Sequence, residues 1–310
     1  MKKPSLLSIG SGALGGYYSG ILQRGGAEVT MLCRSDYNQI KTGGVSVKSH
    51  QEDFHYYPDC VVRAASEVKE YPDFICVFLK VLPEIDLVSI IKEAVGPKTT
   101  IVLIQNGTQI EAPIQAAFPN NEVIGVIAFI CCQRISAGKI DHQDFGHIKI
   151  GTYPKNNTPK TVQLQTLFQK GGVECEISDN IVASRWEKLV WNAPFNSISA
   201  ILGGVDTKFM LADPEMVLLC RNIMKEVICL AEADGNPISS ALIDKLMDYT
   251  KNMVPYLTSM ALDYLAKRPL EVDAILGNAL KRARELELDL PYLQSTFALL
   301  RQTDRKNRAY

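Results

Sequence analysis

The chain has 310 residues, of which 46% are apolar and 22% are charged, and its formal net charge is −1. This length suits about two domains, and the composition is that of an ordinary soluble globular protein. The near-neutral charge gives no overall field that would draw the chain to nucleic acid or to a membrane surface, so we expect neither as a partner.

The first half of the chain alternates strand-like and helix-like segments. Strands are predicted at 5–9, 28–33, 74–79, 100–104 and 123–127, with further short ones at 148–150 and 173–177. Helices are predicted at 13–24, 83–94 and 109–117. This alternation is typical of the α/β class, in which a parallel sheet is covered by helices on both faces.

After about residue 179, nearly every segment has the pattern of a helix. The predicted helices are 181–201, 214–234, 240–252, 271–286 and 292–301, separated by breakers such as Gly235 and Pro269. We therefore predict an α/β domain over 1–179 and an all-α domain over 180–310. Ligand sites favour domain junctions, so we expect the functional site in the cleft between them.

A glycine motif follows the first predicted strand and begins the first predicted helix. It reads Gly10-Ser11-Gly12-Ala13-Leu14-Gly15, which is Gly-x-Gly-x-x-Gly in the context typical of dinucleotide binding. Gly10 permits the tight turn, Gly12 lets the backbone approach a pyrophosphate, and Gly15 lets the helix pack close to the strand. The backbone amides at that helix end then face the phosphates. The motif predicts a Rossmann-type dinucleotide-binding domain over 1–179, and the alternative is a glycine-rich turn without a ligand.

The end of the second predicted strand bears on the choice between NAD and NADP. NAD enzymes carry an acidic residue there for the ribose 2′-hydroxyl, whereas this chain continues with Arg34 and Ser35. Arg34 can pair with a 2′-phosphate, and Ser35 adds a hydroxyl donor. Asp36 comes one or two residues late and can instead cap the following helix. The sequence therefore predicts NADP (NADPH) as the cofactor, with a solvated surface arginine as the alternative.

Polar residues follow two further predicted strands at their carboxyl ends, where ligands bind in such sheets. Lys80 follows strand 74–79, and Asn106 follows strand 100–104. Lys80 can reach a phosphate or the substrate, although an ordinary surface lysine fits nearly as well. Asn106 can hydrogen-bond to the nicotinamide ribose or to the substrate, or it can be a turn-former before Gly107.

Three polar residues recur at four-residue spacing inside the predicted helix 181–201. They are Lys188, Asn192 and Asn196, and on a helix this spacing stacks them on one face. The flanking residues are apolar, namely Trp186, Leu189, Val190, Trp191 and Phe195. An ammonium group and two amides in such a run need partners, and a bound polar molecule can be one. The alternative for Lys188 is a solvated helix lysine.

With these residues in hand, the chain resembles the ketopantoate reductase (2-dehydropantoate 2-reductase) family over nearly its whole length. The matching segments are 10–15, 33–37, 105–107, 186–188, Asn192 with Asn196, Ser259 and Met260 with Asp263, and Glu271. The resemblance implies NADPH-dependent reduction of a 2-keto acid, 2-dehydropantoate, to pantoate in pantothenate and coenzyme A biosynthesis. It implies that Lys188 is the catalytic lysine and that Glu271 is the active-site glutamate, which also lies against the cofactor.

Further roles are implied by the same resemblance. Asn106, Asn192, Asn196 and Ser259 match substrate-binding positions, Asn106 also lies near the nicotinamide, and Cys131 is a looser match to a cofactor contact. The chemistry agrees, because hydride addition to a ketone builds negative charge on oxygen, which a protonated lysine can neutralise. Each of two residues also has a non-functional explanation. Glu271 can stabilise the start of a helix electrostatically, and Ser259 can be an ordinary serine on a helix surface.

One residue departs from the family pattern. Some family members place a further asparagine about ten residues after the asparagine pair, where this chain has Asp206. A carboxylate is an awkward neighbour for an anionic substrate unless it points away.

Alternative functions stay open. A related NADP-dependent reductase of another 2-keto acid or of an imine would share the fold and Lys188, so only a substrate panel separates the two. A non-catalytic NADPH-binding sensor predicts a helical half without a polar stripe, which the residues of that half argue against. A histidine-based hydroxy-acid dehydrogenase is a third option, but its proton donor would have to come from the first half of the chain, since 180–310 contains no histidine. The long helices of the second half also offer a surface for a homodimer.

Cysteine and histidine usage bears on metal binding and on the cellular compartment. The eight cysteines include no Cys-x-x-Cys pair, and the four histidines form no ligand-spaced cluster. We therefore expect buried thiols in a reducing compartment, the cytoplasm, and no metal site. The apolar run near Met1 is too short for a secretory signal, and the longest uncharged stretch, 189–205, is too polar to span a membrane.

Overall fold

The computed structural model describes residues 2–309, so Met1 and Tyr310, the outer ends of the two predicted domains, lie outside the described residues. The chain divides into two compact units. The first, called here the α/β unit, comprises the residues up to 80, 85–105 and 111–181. The second, the helical unit, comprises 81–84, 106–110 and the residues from 182 onward. Two short segments from the first half of the sequence thus belong to the helical unit.

The α/β unit is built on a ten-stranded sheet. Its strands are β1 (Ser5–Ile9), β2 (Glu28–Leu32), β3 (Val45–Ser49), β4 (Phe54–Tyr56), β5 (Cys60–Val62), β6 (Phe74–Val77), β7 (Thr100–Leu103), β8 (Val123–Ser136), β9 (Lys139–Thr152) and β10 (Cys175–Ile177). The order across the sheet is β4-β3-β9-β8-β7-β6-β1-β2-β5, and β10 pairs with β9. The five pairings from β5 to β8 are parallel.

The prediction of a parallel sheet is confirmed from β5 to β8 and for the pairings of β9 with β3 and β10, but it is wrong for two other pairings. Strands β8 and β9 form a long antiparallel hairpin, and β4 is antiparallel to β3. The sequence reveals only the buried start of β8, because its first five residues are buried while most of the remainder is partly or fully exposed. A continuous apolar run predicts a buried strand, whereas a half-exposed extension of the same strand carries no such signal.

Within the described residues, the α/β unit contains two 3-10 turns, Ala65–Glu67 and Lys92–Ala94, and five α-helices. The α-helices are α1 (Ala13–Arg24), α2 (Tyr37–Gly43), α3 (Leu87–Ile91), α4 (Glu111–Ala117) and α5 (Pro159–Lys170). The predicted bounds of α1 are confirmed. The predicted helix 83–94 is shorter, because the Asp86 side chain accepts a hydrogen bond from the Ser89 N–H at 3.1 Å and so caps α3 there. The helix expected after Asp36 is α2, for which the sequence analysis gave no bounds. Helix α5 was not predicted, although Thr158 and Pro159 provide a capping box and an initial proline for it.

The helical unit contains seven α-helices and one π-helical turn within the described residues. They are α6 (Ile181–Ile201), α7 (Thr207–Leu211), α8 (Pro214–Ala233), α9 (Ala241–Asn252), α10 (Ser259–Leu265), the π-helical turn (Asp273–Gly277), α11 (Asn278–Glu285) and α12 (Pro291–Ala309). The predicted helical character is confirmed, although the short helices α7 and α10 were not predicted. Trp186, Val190 and Phe195 of α6 are fully buried in the core of this unit. Among residues 2–309, no helix is both long and apolar enough to cross a membrane.

Candidate active site

The glycine motif forms the turn between β1 and α1. Gly10 has a φ of +102°, a backbone conformation that favours glycine, and its N–H donates to the Leu32 carbonyl at 3.2 Å. A Cβ on Gly15 would lie 2.0 Å from the Gly10 carbonyl oxygen, so only glycine allows the helix to approach the turn. A Cβ on Gly12 would meet nothing within 4 Å, which leaves the outer side of the turn open. This geometry fits a pyrophosphate held at a helix N-terminus.

The residues between these glycines form the first turn of α1. Ser11, Ala13 and Leu14 are half-buried, and the first intrahelical bond runs from the Gly16 N–H to the Gly12 carbonyl at 2.8 Å. The amides before Gly16 are therefore the donors that a helix N-terminus leaves without intrahelical partners. The Cys132 thiol of β8 approaches the same turn and donates to the Ala13 carbonyl at 3.7 Å.

The end of β2 presents two kinds of side chain. Arg34 and Ser35 are exposed, whereas Asp36 is only 1% exposed. Asp36 is the N-cap residue of α2, and its carbonyl accepts the Ile40 N–H at 2.9 Å. Its carboxylate makes no capping bond and instead binds Arg134, so the prediction that this side chain caps the helix is wrong.

Two further predicted cofactor residues lie in the α/β unit. Lys80 is half-buried in the segment after β6, which ends at Val77 rather than at the predicted residue 79. Cys131 is half-buried on β8, where it pairs with Asp144 of β9.

A second set of predicted residues, called here the Lys188 cluster, lies in the helical unit: Lys188, Asn192, Asn196, Asn106 and Glu271. The first three belong to α6, as predicted; Lys188 is half-buried, while Asn192 and Asn196 are 5% and 3% exposed. Burial lowers the pKa of Lys188 to about 7. This value already includes the positive charge of Arg185, which also lowers the pKa of Lys188, and the negative charge of Glu271, which acts to raise it.

The turn carrying Asn106 is fixed against the helices of this unit. The Asn192 amide donates to the Asn106 side-chain oxygen at 3.3 Å. Gly107 has a φ of +108°, and a Cβ there would lie 2.3 Å from the carbonyl oxygen of Ala274 in the π-helical turn. The Thr108 N–H donates to that same Ala274 carbonyl at 3.3 Å. Only glycine therefore allows this approach, which brings Asn106 to the amide of Asn192.

Glu271 lies two residues before the π-helical turn, whose N-cap is Val272. The Glu271 carbonyl accepts the Ile275 N–H at 3.1 Å, and its carboxylate accepts the Val81 N–H at 3.0 Å. The carboxylate is thus held at a defined position by a residue of the segment 81–84. Turns of this π-helical type are frequent at functional sites.

Ser259 and Asp206 are arranged differently from the Lys188 cluster. Ser259 is exposed as the first residue of α10, whose N-cap is Thr258. The Asp206 carboxylate accepts the Phe209 N–H at 2.8 Å and caps α7, so its departure from the family pattern has a structural role.

Two features of the helical unit were missed by the sequence analysis. Arg185 is 5% exposed and donates to the Gly107 carbonyl at 3.3 Å; its position three residues before Lys188 was the available signal. Asp234 accepts from the Trp186 indole N–H at 3.0 Å and from Arg282 at 2.6 Å. No local pattern marks this contact, because Trp186 and Asp234 lie 48 residues apart in sequence.

Within residues 2–309, no group of three or more histidine, cysteine, aspartate or glutamate residues is arranged to hold a metal ion.

The fold and these residues define the class of protein: a Rossmann-type sheet with a glycine turn, together with a helical unit that carries a half-buried lysine of lowered pKa, belongs to an oxidoreductase. Two family models match the chain, "Ketopantoate reductase PanE/ApbA" over residues 6–155 and "Ketopantoate reductase PanE/ApbA C terminal" over residues 180–304. The chain therefore belongs to the ketopantoate reductase family.

Individual relatives agree with this assignment. The chain is similar to a 2-dehydropantoate 2-reductase of Nostoc sp., with 35% identity over 97% of this chain and 95% of that protein. Its fold is similar to the crystal structure of 2-dehydropantoate 2-reductase from Methylococcus capsulatus, with a TM-score of 0.93, 38% identity and coverage of 98% and 97% of the two chains. The corresponding enzyme of Geobacter metallireducens gives a TM-score of 0.90 at 33% identity, over 96% of this chain and 99% of that one.

Proposed function

We propose that this chain catalyses the NADPH-dependent reduction of 2-dehydropantoate to pantoate, a step of pantothenate and coenzyme A biosynthesis. The observation that carries the proposal is the half-buried Lys188 on α6, whose pKa of about 7 lets it hold or release a proton near neutral pH. The family membership and the names of the relatives support the substrate.

In this proposal, the predicted domain 1–179 provides most of the cofactor-binding residues, and the predicted domain 180–310 provides most of the substrate-binding residues. Bound NADPH supplies a hydride to the carbonyl carbon of the substrate. The amides of the glycine turn, over residues 10–15, hold the pyrophosphate, because they are helix-end donors beside an open face. Arg34 and Ser35 bind the 2′-phosphate, which their exposure at the end of β2 supports. Lys80, Asn106, Cys131 and Glu271 make the remaining proposed cofactor contacts.

The proton step belongs to Lys188 in this proposal. As negative charge develops on the substrate oxygen, the ammonium stabilises it and donates the proton. Glu271 favours the charged form of the lysine, since its carboxylate acts to raise the pKa of Lys188. Asn192, Asn196 and Asn106 orient the polar groups of the substrate, and Ser259 binds its carboxylate.

A substrate panel tests the proposed reaction. The purified chain is mixed with NADPH, and loss of the reduced-nicotinamide absorbance is followed with 2-dehydropantoate, pyruvate, oxaloacetate, branched 2-keto acids and a cyclic imine. We expect the highest kcat/KM with 2-dehydropantoate. A much higher value with another keto acid or with the imine would assign a related reductase, and NADPH binding without turnover on any compound would assign a sensor.

We also propose that the protein acts in the cytoplasm. None of its eight cysteines, all within residues 2–309, is part of a disulfide, and four of them are buried: Cys33, Cys76, Cys175 and Cys220. Thiols of this kind are typical of a reducing compartment. Localisation of a tagged copy in cell fractions tests this assignment.

A homodimer through the helical domain is proposed as the assembly. Large apolar side chains are exposed on three of its helices, with Phe209 63%, Leu218 50% and Leu299 59% exposed. Pairing of two copies would remove such surface from water. Sedimentation equilibrium tests this assembly, and we expect the mass of two chains. Leu218→Glu, which places a charge on the exposed side of α8, is expected to give the mass of a single chain.

A further inference from the structure

The end of β2 carries two opposing cofactor signals. Arg34 is the type of residue that binds the 2′-phosphate of NADP, whereas Asp36 lies only one or two residues beyond the position at which NAD-binding domains use an acid. An available carboxylate would accept from the ribose 2′-hydroxyl of NADH and would repel a 2′-phosphate. What the Asp36 carboxylate binds is therefore decisive for cofactor choice.

Both oxygens of that carboxylate are engaged by protein donors. Arg134 donates from Nε to Oδ2 at 2.9 Å and from Nη2 to Oδ1 at 2.5 Å, which is the bidentate geometry of a strong guanidinium–carboxylate pair. The Ser35 hydroxyl donates to Oδ1 at 2.8 Å. Although burial acts to raise it, hydrogen bonds from Arg134, Ser35 and Ser11 lower the pKa of Asp36, so the group stays ionised.

Burial of the two partners is unequal. Asp36 has a side-chain exposure of 2%, whereas that of Arg134 is 39%. Arg34 and Ser35, the residues directly before Asp36, are also exposed. The surface at the end of β2 is therefore formed by positive and hydroxyl-bearing groups, with the carboxylate turned inward beneath them.

Arg134 reaches this position through the β8–β9 hairpin. It lies on the exposed end of β8, paired with Ile140 of β9, and Ile140 pairs in turn with Val47 of β3. Because β3 follows α2 directly, this pairing brings the hairpin end back to the region of Asp36, although Arg134 and Asp36 lie 98 residues apart in sequence.

We propose that Arg134 is a cofactor-specificity determinant, because its bidentate hold on Asp36 withdraws the one carboxylate at the end of β2 from the ribose position. This inference rests on the proposed use of NADPH. With Arg134 in place, Arg34 faces the 2′-phosphate without a competing free carboxylate. Without Arg134, a nearly buried carboxylate loses its counter-ion, and a buried charge without a partner is strongly unfavourable. The ribose diol of NADH then offers hydroxyl donors to it, whereas the phosphate of NADPH adds a second negative charge.

The test compares dissociation constants for NADPH and NADH, measured by titration calorimetry, in five proteins. These are the unchanged chain, Arg134→Met, Asp36→Asn, the double variant and Arg134→Lys. For Arg134→Met we expect weaker NADPH binding and tighter NADH binding, so that the ratio of the two constants shifts toward NADH by about tenfold or more, the range for a charged hydrogen-bond partner. Asp36→Asn should keep the NADPH preference, and the double variant should lose the gain in NADH affinity.

Arg134→Lys keeps the charge and should retain most of the NADPH preference. Arg24→Met is the matched control, because Arg24 of the same unit pairs with the exposed Glu52 at 3.4 Å. It should leave both dissociation constants within about twofold, since exposed pairs contribute little.

The outcomes separate this inference from the proposed function. If the unchanged chain binds NADH more tightly than NADPH, the NADPH assignment fails and the inference with it. If the chain prefers NADPH but Arg134→Met weakens both cofactors equally, Arg134 is merely structural and only the inference is overturned. Should Arg134→Met not fold, Asp36→Asn decides: an unchanged preference supports a withdrawn carboxylate, and a shift of about tenfold overturns it.

Discussion

The amide of Asn192 on α6 donates to the side-chain oxygen of Asn106 at 3.3 Å, and this bond joins the helix that carries Lys188 to the turn after β7. Asn106→Ala and Asn192→Ala should each lower kcat/KM for the keto acid, because each leaves the other amide without its partner. A double-mutant cycle should give a coupling of about 0.5–1.5 kcal/mol, the net value of a neutral hydrogen bond. Additive effects would mean that the bond is not used. Asn252→Ala, at the exposed end of α9, is the matched control.

Removal of the Lys188 amine tests the proton donor. Lys188→Ala should lower kcat by about 10²–10⁴-fold, the usual effect of losing a general acid, while the NADPH dissociation constant stays unchanged. Steady-state kinetics and a cofactor titration measure the two quantities. Lys208→Ala on the exposed face of α7 is the control and should leave both unchanged. Near-normal turnover by Lys188→Ala would remove this lysine from the mechanism.

The pH dependence of reduction should follow the Lys188 pKa of about 7, because the protonated form is the proposed proton donor. We expect kcat/KM at saturating NADPH to be level below this pH and to fall above it. Arg185→Met removes a positive neighbour, so the fall should move to higher pH. Glu271→Gln removes a negative neighbour, so the fall should move to lower pH. Shifts of the same sign in both variants would contradict the assigned electrostatics.

The free energy of unfolding should also depend on pH through the titration of Lys188. Between about pH 7 and pH 10.5 the unfolded chain holds a proton on Lys188 that the folded protein has released, so this group makes the free energy of unfolding rise with pH. Lys188→Met abolishes that titration. Its free energy of unfolding should exceed that of the unchanged chain by about 2–4 kcal/mol at about pH 6, and by less at about pH 10. Urea unfolding at the two pH values measures the difference, and Lys208→Met should show no comparable pH dependence.

Cofactor recognition at the end of β2 gives a further prediction. Arg34→Ala should weaken NADPH binding by about 1.5–3 kcal/mol, the range for a hydrogen bond to a charged group. The effect on NADH should be small, because NADH lacks the 2′-phosphate. Titrations of Arg34→Ala with NADPH and with NADH measure both dissociation constants. An unchanged NADPH affinity would contradict the role assigned to Arg34.

Local patterns predict much of this molecule. The bounds of α1 and α6 follow from sequence alone, because glycines end α1 and a long apolar periodicity runs through α6. The glycine motif likewise takes the predicted turn geometry, with the positive φ at Gly10 and the close approach at Gly15. In each case the residues that form the sequence pattern and the structural feature that they determine lie within a few positions of one another.

Contacts between distant segments could not be predicted in this way. The sequence offers Asp36 a helix to cap, yet its carboxylate binds Arg134, because strand pairing brings a residue 98 positions away to it. Two charge-assisted hydrogen bonds to a guanidinium then outweigh a single one to a backbone N–H. The fit of Gly107 against Ala274 is equally non-local, since it depends on a π-helical turn that no periodicity reveals.

The segments 81–84 and 106–110 set a limit on modular exchange within the family. A polypeptide of residues 182–309 would lack the backbone donor that fixes Glu271, the acceptor for Asn192 and the carbonyl bound by Arg185. A single cut near residue 180 therefore removes two segments against which the helices of the helical unit form hydrogen bonds. Chimeras that trade substrate preference between relatives should transplant all three pieces at once.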